Sequence, residues 1–214
     1  MKETLNHIRQ PKETDSAALS VLCSAALALA GAGLGACSKW LDNLALDSSI
    51  WWHRPLAALD LGSVFSELAV WLVLCLVIAV FSRSPGKAAV NCFLFLGAMC
   101  AVYHLWTVRF SGFNPGRYML IWYALTLLSP LFAAVCWYGR GEHPVSVGIA
   151  ACALGVVAKC CFSVGWVYFY VTTPLNALLF LGAVAALYVS PRQIGIAAGG
   201  GVVLAVALGN VLPL

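Results

Sequence analysis

Charge is what this sequence has least of. Asp, Glu, Lys and Arg together make up only 9% of its 214 residues, against about 25% in a soluble domain. Such a chain cannot cover a water-facing surface, so a soluble globular fold is excluded. The few cations are scattered, with no basic stripe and no Arg-rich arm, which argues against nucleic acid as a partner. Catalytic and cofactor motifs are missing as well. There is no P-loop, no HExxH, no GxSxG and no Asp-rich metal motif. The nine cysteines show neither CxxC nor Cys/His spacing, so they read as small apolar packing residues. No metal site and no cofactor is implied.

What is present is apolar sequence: 62% hydrophobic residues and a mean hydropathy of +0.92. The bilayer is therefore the expected solvent, and hydropathy should locate the spans. The expected fold is all-α, a polytopic integral membrane helical bundle of about seven transmembrane helices. A polar cytoplasmic tail, 1–16, precedes a single transmembrane domain, 17–214. The spans are expected at 17–37, 61–82, 88–108, 118–138, 144–165, 174–190 and 194–212. Between the first two, Trp40, Leu41, Leu44 and Ala45 fall at helical spacing, which predicts a short interfacial helix after the first span. Asp60 stands where the second span needs an N-cap. Pro130 lies inside the fourth span and predicts a kink.

The stretch Leu34-Gly35-Ala36-Cys37 resembles the lipobox of bacterial lipoproteins, whose Cys is acylated. The long acidic tail before it fits a signal peptide poorly, so an uncleaved first span is expected. Gly31/Gly35 and Gly195/Gly199 are each four apart, a spacing that lets helix backbones approach closely.

Seven spans place the termini on opposite sides. With the N-terminus cytoplasmic, the inner segments hold Lys2, Arg9, Lys12, Arg83, Lys87, Arg140 and Arg192. The outer ones hold Lys39, Arg54, Arg109 and Arg117. The positive-inside rule then favours a cytoplasmic N-terminus and an extracytoplasmic C-terminus, in a cell membrane such as a bacterial inner membrane.

The remaining cation, Lys159, lies within a span, where a charge costs at least a few kcal/mol unless it meets a partner or water. At about 1.5 Å of rise per residue, Glu67, His104 and Lys159 all lie roughly 8–10 Å below the outer ends of their spans. Asn176 and Asn210 fall near the same level, and Lys39, Asp42, Asp60, Arg109 and Arg117 hang above. One reading is an outward-facing polar cavity that binds a small solute. The other is an internal ion pair, Glu67 with Lys159, that only holds helices together. Cys100 and His104 share a helix face and could form a thiol–imidazole pair. Cys160 beside Lys159 could be an activated thiolate.

The chain's size and small-residue first helix resemble the substrate-binding membrane subunits of energy-coupling-factor vitamin transporters. That resemblance implies solute binding and a membrane partner. Those subunits usually have six spans with both termini inside, and the seven expected here depart from that pattern. The leading expectation is a small transporter or the solute-binding subunit of one. A second is a non-transporting subunit that packs on another membrane protein, and a third an intramembrane enzyme.

Overall fold

The computed structural model describes residues 7–12, 16–47, 49–165, 168–171 and 173–211, without the side chains of 208, 210 and 211. Lys2, the Asn210 side chain and residue 212 of the last expected span, which enter the expectations above, lie outside the described residues.

The chain is nearly all helical. In order it forms α1 (Ala17–Asp42), α2 (His53–Ala58), α3 (Leu61–Ser66), α4 (Leu68–Phe81) and α5 (Pro85–Trp106). A π-helical turn, Thr107–Ser111, prolongs α5. Then follow α6 (Gly116–Trp137), α7 (Pro144–Cys161), a hairpin of β1 (Phe162–Val164) and β2 (Phe169–Val171), α8 (Pro174–Leu187) and α9 (Pro191–Val211). Four helices are long and apolar enough to cross a membrane: α1, α5 with its π turn, α6 and α7. Three shorter apolar ones, Leu68–Phe81, Pro174–Leu187 and Pro191–Ala207, accompany them.

The helix starts are written in the sequence. Ser84-Pro85, His143-Pro144 and Thr173-Pro174 each put a side-chain acceptor at the N-cap and proline in the first turn. The cap satisfies an orphan N–H, and proline has none to lose there. Proline inside α6 is handled differently. Pro130 cannot donate to the carbonyl of Thr126, and the Ser129 hydroxyl donates to that carbonyl instead (2.8 Å). The helix runs on to Trp137.

α4 is the partition of the molecule. One face, with Ala69, Val73, Leu76 and Val80, joins the core formed with α7, α8 and α9. The other, with Val70 and Trp71, joins Phe95, Met99 and Met119 from α5 and α6. On the α1–α5 side two glycines make the contact. A Cβ on Gly31 would lie 2.1 Å from the Phe95 carbonyl oxygen, and one on Gly35 2.6 Å from that of Met99.

Several expected boundaries move. The single span 61–82 is two helices. Glu67 (φ −80°, ψ 152°) is extended and separates α3 from α4. The break strands the carbonyl of Phe65, and the Trp71 indole N–H donates to it (3.0 Å), so the interruption is chemically satisfied. The helix expected over 144–165 stops at Cys161, because Phe162 and Val164 turn their side chains inward from a strand that pairs with Phe169–Val171. The first helix continues past residue 37 to Asp42 and takes Trp40 and Leu41 with it. The short helix that follows is His53–Ala58 instead.

Nor is the tail all loose. Arg9 donates to the carbonyls of Val80 (2.9 Å) and Trp137, in the last turns of α4 and α6. Its guanidinium lies 4.2 Å from the Trp137 ring centroid. A cation there meets two sets of orphan carbonyls and the negative ends of two helix dipoles. Burial, and then the nearby charge of Arg140, push the Arg9 pKa down from its ordinary range.

Candidate functional site

Helix direction gathers one set of ends: the C-termini of α1, α5 and α7 and the N-termini of α3/α4, α6 and α8. All the ionisable residues expected at the outer end belong to this set, but they do not form a single cluster.

The best-connected group surrounds Asp42, at the end of α1. Its carboxylate accepts from the Tyr103 hydroxyl (2.9 Å) on one oxygen and from the Ser66 hydroxyl (3.1 Å) on the other. Lys39, one turn earlier and only 6% exposed, places its Nζ 3.7 Å from the Tyr103-bonded oxygen. That Nζ also lies 5.1 Å from the Tyr103 ring centroid and 5.8 Å from that of Phe113. A buried ammonium is costly unless paired. Here one carboxylate and two aromatic faces share the task.

Beneath this network is a recess lined by Ser38, Phe65, Ser66, Trp71, Met99, Tyr103, Tyr118, Met119 and Trp122. Its rim is hydroxyl and its wall aromatic: Trp71 and Trp122 meet edge to face at 6.4 Å, and Tyr118 packs on Trp122 at 6.3 Å. Flat aromatic walls with a few convergent polar groups are the usual make-up of a small-molecule site. The water-accessible volume is about 10 Å³, room for roughly one water. As it stands the recess is too small for a solute.

Glu67 and Lys159 do not form an ion pair within 4.0 Å; the pair found among the described residues is Lys39–Asp42. Glu67 accepts instead from Asn176 Nδ2 (3.1 Å), near the start of α8. Lys159 is half-buried and runs toward α9, where its Nζ comes within 3.6 Å of a Cβ placed on Gly209.

His104 is remote from both. Its Nδ1 meets the Tyr123 hydroxyl on the α5–α6 side, whereas Cys100 Sγ lies 3.4 Å from Thr126 Oγ1. The two members of the supposed thiol–imidazole pair thus have separate partners. Glu67, His104 and Lys159, expected around one cavity, thus have separate surroundings, and the aromatic recess lies beside Asp42. Arg109 and Arg117 are exposed.

Asp60 takes the N-cap position of α3 without a side-chain cap bond. It is in the left-handed region (φ 47°), which Asp tolerates better than most residues. In the preceding loop the Ser49 amide donates to Asp47 (2.8 Å) and the Asp47 amide to His53 Nδ1 (2.8 Å). The bond from Ser49 is the main reason the Asp47 pKa falls below its ordinary value.

Gly195 and Gly199 touch no neighbouring helix; a Cβ on either meets nothing within 4 Å. The α9 stripe that faces α7 is Ala197, Gly201 and Ala205, all buried. Gly201 meets Ala151, Leu154 and Gly155. At 100° per residue the stripe through 197 and 201 faces well away from the one through 195 and 199.

Sequence reasoning missed Tyr103, Ser66, Trp71 and Trp122. Ser66, Glu67 and Trp71 lie within one expected helix, and only the break at Glu67 sends Ser66 to Asp42 and Trp71 into the recess. Tyr103 could have been found, being four residues before the π turn on a helix whose end faces Lys39. Compared with known protein families, curated proteins and solved structures, this chain finds no match.

Proposed function

We propose that this chain is a multi-pass membrane protein that binds a small solute at its outer end, as a small transporter or as the solute-binding subunit of one. It crosses the bilayer seven times, with the N-terminus cytoplasmic and the C-terminus extracytoplasmic. The observation that carries the reading is the recess beside Asp42: four hydroxyl-bearing side chains and two tryptophans line it, next to a paired, buried lysine, at one end of an apolar bundle. Side chains of that kind stack a flat ring and bond its polar edge. Because the recess is so small, a solute must part Tyr118 and Trp122 on α6 from Phe65 on α3. The break at Glu67 provides a joint for that movement.

A second reading rests on the open Gly195/Gly199 face of α9, flanked by exposed Ile196, Val202 and Val203. A small-residue stripe without an intrachain neighbour suits a partner helix in the same membrane.

The experiment is a melting curve of the purified protein in detergent against a panel of small aromatic and heteroaromatic solutes. A ligand at 100-fold its Kd stabilises by about 2.7 kcal/mol. A solute that raises the melting temperature of the wild type, but not of Tyr103→Phe or Trp122→Ala, supports the site. If no solute acts and a membrane protein co-purifies in fixed ratio, the second reading replaces the first.

A further inference from the structure

Glu67 and Asn176 make a second polar site, separate from the recess and not dependent on it. Asn176 is 1% exposed. Its Nδ2 donates to Glu67, yet its Oδ1 is buried with no hydrogen-bond partner. A buried amide oxygen without a donor is costly, and its position beside a carboxylate calls for a positive group. Amide geometry keeps Oδ1 within about 2.3 Å of Nδ2, so the orphan oxygen and the carboxylate belong to one patch. Both are hard oxygen donors. The helix is also interrupted here, at Glu67, although the Phe65 carbonyl that the break strands is taken by Trp71. Broken helices in membranes hold cations at such interruptions.

We propose that Glu67 and Asn176 bind a monovalent cation, Na⁺ in the first instance, at the break between α3 and α4. One carboxylate balances one charge. No group of three or more His, Cys, Asp or Glu side chains able to hold a metal occurs among the described residues, so a divalent or transition ion does not suit the site. Binding there also reaches the recess. Phe65 and Ser66 line it, and Glu67 is the next residue. A cation that fixes Glu67 fixes the end of α3 and thereby the wall of the recess.

Lys159 is the competing occupant, as the cation that helix rise puts at the depth of Glu67. The test separates the two. Melting temperature of the full chain in detergent is measured in NaCl, KCl and choline chloride at equal ionic strength, with no solute added. For the wild type, Na⁺ is expected to raise the melting temperature by a few degrees over choline, in a saturable manner. Glu67→Gln and Asn176→Ala should abolish the increment, while Lys159→Met keeps or enlarges it. Should either variant fail to fold, the conservative Glu67→Asp and Asn176→Ser serve in its place and should weaken Na⁺ several-fold. No Na⁺ increment in the wild type overturns the proposal. So does an increment that appears only in Lys159→Met, which would make the lysine the native occupant. A lack of solute binding at the recess leaves this result unaffected, so the two proposals fail separately.

Discussion

The two sides of α4 are held together differently. Toward α1, α5 and α6 the backbones come into direct contact, with Gly31 and Gly35 seated on carbonyls of α5. Most polar groups there are paired, with both oxygens of Asp42 occupied. Toward α7, α8 and α9 backbones also come close: a Cβ on Gly201 would lie 3.0–3.1 Å from its neighbours, and one on Gly209 2.5 Å from the Val164 carbonyl oxygen. The difference lies in the polar groups. Of the four buried polar atoms that lack a partner among the described residues, Ser111 Oγ is at the end of α5, whereas Ser146 Oγ, Asn176 Oδ1 and Gln193 Nε2 are on the α7–α9 side. That side retains more unsatisfied groups, as expected of helices that bind or move.

That contrast can be broken first at its tightest point. Alanine in a helix is ordinarily better than glycine by about 1 kcal/mol, but at Gly31 the added methyl collides with backbone, which cannot rotate away. Gly31→Ala should reverse the sign and cost about 1–3 kcal/mol or more, seen as lost monodisperse yield and a lower melting temperature. A wild-type melting curve would mean that α1 and α5 are not in contact.

The clamp between the two sides comes next. Arg9→Ala removes charge-assisted bonds to the last turns of α4 and α6, each worth about 1.5–3 kcal/mol where fully made. Partial exposure of Arg9 reduces the expected loss to the lower part of that range. Cleavage of the tail by added protease should quicken in the variant, because residues 7–12 lose their hold. Equal cleavage rates would show that the tail is not held by Arg9.

A smaller effect sharpens the side with more unpartnered polar groups. Intramembrane polar contacts average about 0.6 kcal/mol. A double-mutant cycle on Glu67→Gln and Asn176→Ala should give coupling of that order, whereas Glu67→Gln with Lys159→Met should be nearly additive. The opposite pattern would restore the Glu67–Lys159 pair. The smallest effect is expected at Gly199. With nothing near its Cβ, Gly199→Ala should be neutral or stabilising by up to about 1 kcal/mol. Destabilisation that tracks loss of a co-purifying protein would instead identify the open stripe as an interface.

The helices were legible in the sequence where local chemistry decides them. Hydropathy found the apolar segments and put three starts at 88, 144 and 174, within a few residues of Pro85, Pro144 and Pro174, where Ser-Pro, His-Pro and Thr-Pro pairs open the helices. The Gly31/Gly35 spacing pointed to a face that is indeed in contact. Gly195/Gly199 had the same spacing and pointed to one that is not, because spacing does not say which way a helix is rotated. The break at Glu67 was not legible. LGSVFSELAVW carries no proline, and the interruption depends on Asp42 and Asn176 arriving from elsewhere and on Trp71 reaching back to the Phe65 carbonyl. For the same reason depth along the helices put Glu67, Lys159 and His104 at one level but could not tell that His104 turns to Tyr123 on another side. A one-dimensional ruler gives height and not azimuth.

The claim that most needs testing is that the Asp42 recess opens to the outside. In a cysteine-free background, Ser66→Cys on the recess and Ser111→Cys on the loop after α5 are compared with Ser84→Cys at the start of α5. An impermeant thiol reagent is applied to intact cells and then to lysed ones. The expected result is labelling of Ser111→Cys and, more slowly, Ser66→Cys in intact cells, with Ser84→Cys reacting only after lysis. Labelling of Ser84→Cys in intact cells, with Ser66→Cys and Ser111→Cys protected until lysis, would contradict it and place the recess on the cytoplasmic side.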